Sequence, residues 1–255
     1  NSYLILMKIF TSTLLGLVFF SFQGYTHNPE DFIIAEIEQG QMSFENEEIA
    51  IEYNAAQKRL RIRRLSAMDW GRKFSIFIKA GFEHIIPKGL DHILFVLGLF
   101  FSSIYFKSLL VQVTAFTLAH SITLILAAQN VLNIDSNIVE PLIALSIVWI
   151  AIENLIFKKP TKWRSLVVFA FGLLHGLGFA AVLSHYGLPK ENFISLLFGF
   201  NIGVELGQLS VLLIAYLLIR LIFMKNWKSK IISIPASVII GLIGFYWFIE
   251  RIINL

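Results

Sequence analysis

From Leu90 onward the chain is a succession of long apolar runs joined by short polar connections, whereas residues 28–69 mix charged and apolar positions. An apolar run of about 18 residues or more matches the hydrocarbon thickness of a bilayer and reads as a spanning helix. Such runs place spans near residues 90–106, 108–130, 138–157, 164–186, 192–223 and 231–250. The fifth is long enough to be tilted or broken. The fold class expected is therefore an all-α polytopic membrane protein with about six transmembrane helices. Ahead of the first span, Trp70, Phe74, Phe77, Ile78 and Phe82 fall on one side of a helix that also carries Arg72, Lys73 and Lys79. That pattern predicts a leading interfacial helix with its basic residues at lipid headgroups. Residues 70–255 then form the transmembrane domain.

The N-terminal part reads differently. Translation is expected to start at Met7, followed by Lys8, an apolar run from Ile9 to Phe22 and a small polar exit. A basic start, a short apolar stretch and such an exit describe a secretory signal peptide, here residues 1–27, with the segment after it left outside. Residues 28–69 show strand-like alternation at Ile49–Tyr53 and Leu60–Arg63, with a turn at Asn54–Gln57. They predict a small β-rich exported segment, too short for a strong core of its own.

Composition sharpens this. Apolar residues make up 56% of the chain, above the roughly 45–50% of soluble domains, so the bilayer is the expected partner. The chain has no cysteine, which excludes disulfides and thiolate sites and leaves imidazole and carboxylate groups as metal ligands. The net charge of +4 matters through its placement. With the N-terminus exported, nine Lys and Arg (Lys107, Lys158, Lys159, Lys162, Arg164, Arg220, Lys225, Lys228, Lys230) fall in inside loops and one, Lys190, in an outside loop; the exception is the long exported segment before the first span, with Lys58, Arg59, Arg61, Arg63 and Arg64, where the rule is weak. The loops obey the positive-inside rule, and their charge points away from nucleic-acid binding.

Ionisable groups inside a bilayer cost several kcal/mol and mark function by default. Here they are His84, Asp91 and His92 around the start of the first span, His120 midway along the second, and Glu140 and Glu153 at the two ends of the third. His175 lies midway along the fourth, and Asn201, Glu205 and Gln208 along the fifth. At about 1.5 Å rise per residue, His120, His175 and Glu205 all fall near the midplane. Asp91 and His92 are expected nearer the outer mouth. Asn201, Glu205 and Gln208 share one face of their helix, with Gly199, Gly203 and Gly207 on the opposite side as a packing ladder. Thr114, Thr117, His120 and Ser121 share a face of the second span, and Gly172, Gly176 and Gly178 let a neighbouring backbone approach His175. Taken singly, each His could be no more than a hydrogen-bonding residue between helices, and Glu140 and Glu153 could simply be hydrated at span ends. The coincidence of depth is what makes a metal or proton site the sharper reading.

These same residues carry a family resemblance. GFEH at 81–84 with GLDHILF at 89–95, AFTLAHSITL at 115–124, VEPLIALS at 139–146, FGLLHGLGFA at 171–180 and FNIGVELGQ at 200–208 resemble, in that order, the HupE/UreJ family of bacterial membrane proteins. The resemblance covers about residues 80–215. It implies uptake of nickel or cobalt in the bacterial cytoplasmic membrane, beside hydrogenase and urease systems. It carries the family's His…Asp-His signature onto His84, Asp91 and His92, and a later histidine motif onto His175. Six residues separate His84 from Asp91, with Pro87 and Gly89 among them; this wider spacing allows His84 a separate short helix.

The reading that follows is a secondary permease, not an enzyme. Its metal ligands are His84, Asp91, His92, His120, His175 and Glu205, supported by Thr117, Glu140, Asn201 and Gln208. Its cargo is Ni²⁺, Co²⁺ or Zn²⁺, with no tightly bound cofactor. A homo-oligomer or metalloenzyme-maturation partners are compatible with it. No GxxxxGK[ST] is present, so a proton gradient or the membrane potential would supply the drive. The competing readings are an intramembrane zinc hydrolase, weakened by the lack of HExxH, and a non-transporting accessory or metal-sensing protein.

Overall fold

The computed structural model describes residues 47–102, 105–129, 131–132, 134–157, 161–186, 192–223 and 230–254. Among them the chain forms eight α-helices and no strand: α1 Glu47–Ala67, α2 Trp70–Ile85, α3 Leu90–Ser102, α4 Phe106–Ala128, α5 Ser136–Ile156, α6 Arg164–Tyr186, α7 Phe193–Phe223 and α8 Lys230–Ile253. The expected signal peptide and residues 28–46 lie outside the described residues.

The β-rich expectation is overturned over residues 47–67, which form one helix, α1. The alternation at Ile49–Tyr53 and Leu60–Arg63 was real but too short to outweigh two helical signals. Acidic Glu47, Glu48 and Glu52 open the segment and basic Lys58, Arg59, Arg61, Arg63 and Arg64 close it, the order that the helix dipole favours. Between them stand Ala, Gln and Leu, good helix formers. Asp69 then caps α2, its side chain accepting from the Arg72 N–H at 3.2 Å.

Four helices, α4, α5, α7 and α8, are long and apolar enough to cross a membrane. The expected first span near 90–106 and the helix leading into it form a bent pair, α2 and α3, set at 70° to each other. Alone, α3 has 13 residues, or about 20 Å, short of a roughly 30 Å core. With the pair taken as one broken span, five such elements result; α6 adds the shorter apolar stretch Arg164–Phe179.

Three helix pairs pack most extensively: α4 with α6, α2 with α7, and α5 with α8. Small residues explain each. A Cβ at Gly203 would collide with the Ile78 carbonyl of α2, and one at Gly81 with the Phe200 carbonyl of α7. A Cβ at Gly172 would press on Phe116, and one at Gly176 on the His120 carbonyl and Thr123. A Cβ at Gly244 of α8 would stand 3.1 Å from the Ile147 Cβ of α5. These backbones touch because no side chain holds them apart. Much of the apolar face of α2 thus packs on α7, with Trp70 left half-exposed. Arg72 and Lys79 are exposed, but Lys73 is buried, its ammonium donating to the Ser66 carbonyl at 3.4 Å.

A buried polar network ties five helices at one end of the bundle. Arg164, which the charge pattern placed in a solvated loop, lies inside with Glu153 at 3.0 Å. It donates to Gln112 at 3.0 Å and to Asn154 at 3.2 Å. Asn154 donates in turn to the Gly98 carbonyl and to Ser237, and Thr161 to Glu153. Glu153 is therefore paired, not hydrated. At the opposite end Arg251 of α8 donates to the Glu140 carbonyl at 2.7 Å and lies 3.7 Å from its carboxylate. Removing one partner of a buried ion pair strands the other, at about 3–5 kcal/mol. Arg164→Met is expected to cost stability of that order, read as a lower thermal midpoint in detergent. Glu153→Leu with Arg164→Met should lower it clearly less than the sum of the single changes, as read from a double-mutant cycle.

Candidate metal centre

Four imidazoles meet in the middle of the bundle. His84 sits in the last turn of α2, His92 in the first turns of α3, His120 in α4 and His175 in α6. The bend after α2 brings the first two together. Ile86 and Gly89 donate to the Phe82 and Ile85 carbonyls, and the Gly89 carbonyl accepts from Ile93 as α3 begins. A Cβ at Gly89 would run into the His84 carbonyl and lie 3.3 Å from His92 Nδ1. Only a residue without a side chain fits this turn. The His84 and His92 rings end 4.8 Å apart, centroid to centroid.

The other two close around them. His92 lies 4.8 Å from His175 and 5.8 Å from His120, and His84 lies 6.0 Å from His120. One ring nitrogen each from His84, His92 and His120 falls within 4.8 Å of the others. A tetrahedral ion with bonds of about 2.0–2.1 Å needs its nitrogens ~3.4 Å apart, so a closure of at most ~1.4 Å would let the three grip one. His92, His120 and His175 are almost wholly buried, at 2%, 0% and 1% exposure.

The partners of these rings fix their chemistry. Asp91 Oδ1 accepts from the His92 backbone N–H at 2.8 Å and lies 3.0 Å from His92 Nδ1. Phe171 offers a carbonyl 2.9 Å from His175 Nδ1. Asn201 donates through Nδ2 to the Leu197 carbonyl at 2.9 Å, which turns its Oδ1 to His120 Nδ1 at 3.3 Å. Each partner atom is an acceptor. Each of the three Nδ1 atoms therefore carries the hydrogen, and each Nε2 presents a lone pair. Among the described residues, the Nε2 atoms of His92, His120 and His175 are buried with no hydrogen-bond partner. Acceptors behind Nδ1 and bare Nε2 atoms in front are what a metal-binding imidazole requires.

The remaining expected site residues are placed as follows. Asp91 stands behind His92, and Asn201 behind His120. His92 belongs to the cluster itself and not to an outer mouth, because the broken α2–α3 pair puts the start of α3 at the level of His120 and His175. Glu205 is not in the three-nitrogen group; it accepts from Thr114 at 2.6 Å, one turn along α7 from Asn201. Thr117 donates to Gln208 at 3.1 Å, forming a second bridge between α4 and α7. Glu140 is held by Arg251. Phe179 and Phe200, which no sequence pattern singled out, stack at 5.0 Å, and Phe179 covers His84 at 4.1 Å.

The sequence model of a family described as HupE / UreJ protein matches residues 57–251, which takes in all four histidines. No curated protein and no solved structure matches the chain.

The tautomer argument has a direct test. Asn201→Leu removes the acceptor behind His120 and leaves all four imidazoles in place. Affinity for Co²⁺, followed by its visible ligand-field absorption, is expected to fall about 10–100-fold. Thr114→Val, farther along the α4–α7 seam, should change it much less.

Proposed function

The chain belongs to the HupE/UreJ family, and on that premise we propose that it is a secondary permease for a divalent transition-metal ion, nickel or cobalt. The observation that carries this reading is that one ring nitrogen each from His84, His92 and His120 lies within 4.8 Å of the others, while buried His92, His120 and His175 each keep an Nε2 without a hydrogen-bond partner among the described residues. Neutral nitrogen ligands of this kind suit Ni²⁺ and Co²⁺, and Zn²⁺ as well. A site of neutral imidazoles with one carboxylate in support binds firmly enough to dehydrate the ion and weakly enough to release it.

In this reading the bilayer is crossed six times. The broken α2–α3 pair is the first crossing, α6 the fourth, and the Arg164 end of the bundle faces the cytoplasm. The basic loops then lie on the cytoplasmic side of a bacterial inner membrane, with the N-terminal segment exported. The ion reaches His84 from the end where α2 begins and is held by His84, His92 and His120, with His175 alongside as a fourth imidazole. Asp91 adds negative charge behind His92 that offsets part of the cost of holding a cation in an apolar bundle. Glu205, one turn along α7, is the first carboxylate that a released ion meets. The membrane potential supplies about 2.3 kcal/mol per charge per 100 mV, enough to draw a dication inward without a nucleotide.

Reconstituted vesicles with a Ni²⁺-sensitive dye inside test this. Native protein is expected to bring Ni²⁺ or Co²⁺ into the lumen under an inside-negative potential. His92→Ala and His120→Ala should abolish uptake, and Glu205→Gln should slow it while leaving Co²⁺ affinity at the cluster within about twofold. Native vesicles that accumulate none of the three metals would defeat the permease reading.

A further inference from the structure

Each of three cluster histidines has a phenylalanine one turn away on its own helix, always displaced in the same direction. Phe95 follows His92 by three residues on α3, Phe116 precedes His120 by four on α4, and Phe171 precedes His175 by four on α6. The shared direction is toward the Arg164 network, because Gly98, Gln112 and Arg164 lie farther along the same three helices. The rings meet each other and the histidines: Phe95 to Phe116 at 5.1 Å, Phe95 to Phe171 at 6.0 Å, Phe116 to His175 at 4.9 Å and Phe95 to His175 at 5.5 Å. Phe95 and Phe116 are 0% and 1% exposed. One turn farther stand Leu99, Val113 and Val168, all at 0%, and then the Arg164–Glu153 pair. On the α7 side the Thr117–Gln208 hydrogen bond completes the ring.

We propose that Phe95, Phe116 and Phe171 form the gate that separates the metal cluster from the Arg164 end of the bundle, so that release in that direction requires these rings to part. The proposal rests on the permease reading for its meaning and on geometry alone for its existence. The phenyl layer and the aliphatic layer behind it offer a dication no ligand from α3, α4 or α6, and such apolar constrictions resist wetting; the polar groups at that depth, Thr117–Gln208 and Thr114–Glu205, lie at the α4–α7 seam. The opposite side is built differently. There the cover is the Phe179–Phe200 stack beside His84, and His84 is only half-buried while the other three histidines are sealed. The structure is thus closed firmly toward Arg164 and thinly toward the start of α2. The placement also couples the gate to its cargo. Phe116 and Phe95 touch the rings of His92 and His175, so drawing the imidazoles together on an ion shifts the rings that block its exit.

The cysteine-free chain permits a labelling test that needs neither metal nor transport. His175→Cys places a thiol directly above the floor. In vesicles of defined orientation, a membrane-impermeant cationic methanethiosulfonate applied at the Arg164 face is expected to label this thiol slowly. Adding Phe95→Ala and Phe116→Ala should raise that rate about tenfold or more, by admitting water through the widened layer. The rate from the opposite face should stay nearly constant. Phe95→Leu with Phe116→Leu, which keeps the layer apolar and filled, should preserve slow labelling, and Phe171→Ala alone supplies a milder variant of the same opening. An unchanged rate at the Arg164 face in both alanine variants would overturn the gate, as would equal acceleration from both faces. Absent Ni²⁺ uptake by native protein would instead defeat the permease reading and leave the labelling result intact.

Discussion

An imidazole buried away from water must place two ring nitrogens, one donor and one acceptor, and the bundle supplies a partner for only one of them on three of its histidines. Asp91, Asn201 and the Phe171 carbonyl each take an Nδ1 hydrogen. What remains is a set of lone pairs with nothing to accept from, at a depth where an unsatisfied polar atom costs a few kcal/mol. Neutral nitrogens grouped in this way are the donor type that a divalent transition-metal ion accepts. The surrounding architecture serves to hold these rings at that point.

Close helix approach makes this possible. His120 and His175 come together because Gly172 and Gly176 let α6 lie against the α4 backbone, and His84 arrives because α2 lies equally close on the glycines of α7. The turn at Gly89 then sets His84 against His92. The polar network around Arg164 closes one end of the bundle, and the Glu140–Arg251 pair joins α5 to α8 at the other.

Much of this was legible in the sequence, for definite reasons. Long apolar runs have few fates, so the helices of residues 106–128, 136–156, 193–223 and 230–253 followed from hydropathy. The intramembrane histidines announced themselves by the cost of putting them there. Gly199, Gly203 and Gly207 pointed to close packing, although not to α2 as the partner. Other features were hidden because they depend on a change of chain direction. Pro87 and Gly89 signalled an interruption, but a 70° bend that carries His92 to the depth of His120 cannot be read from spacing. Arg164 and Glu153 looked like ordinary residues at span ends, and their partners Gln112 and Asn154 drew no attention inside apolar runs. The phenylalanines one turn from three of the histidines lie in the resembling segments 89–95, 115–124 and 171–180, yet with 24 in the chain nothing there gave them a role. The short alternating stretches of residues 49–63 misled because charge order and helix propensity, summed over 21 residues, outweighed them.

The pairing of helices through small residues also has a mechanical consequence. α4 with α6, α2 with α7, and α5 with α8 form three closely packed pairs with glycines along each seam. The thirteen residues of α3 belong to none of these pairs and join α2 through a turn without a side chain at Gly89. That short segment carries His92 at one end and Phe95 one turn on, so any displacement of α3 relative to α2 would move a cluster imidazole and a barrier ring together.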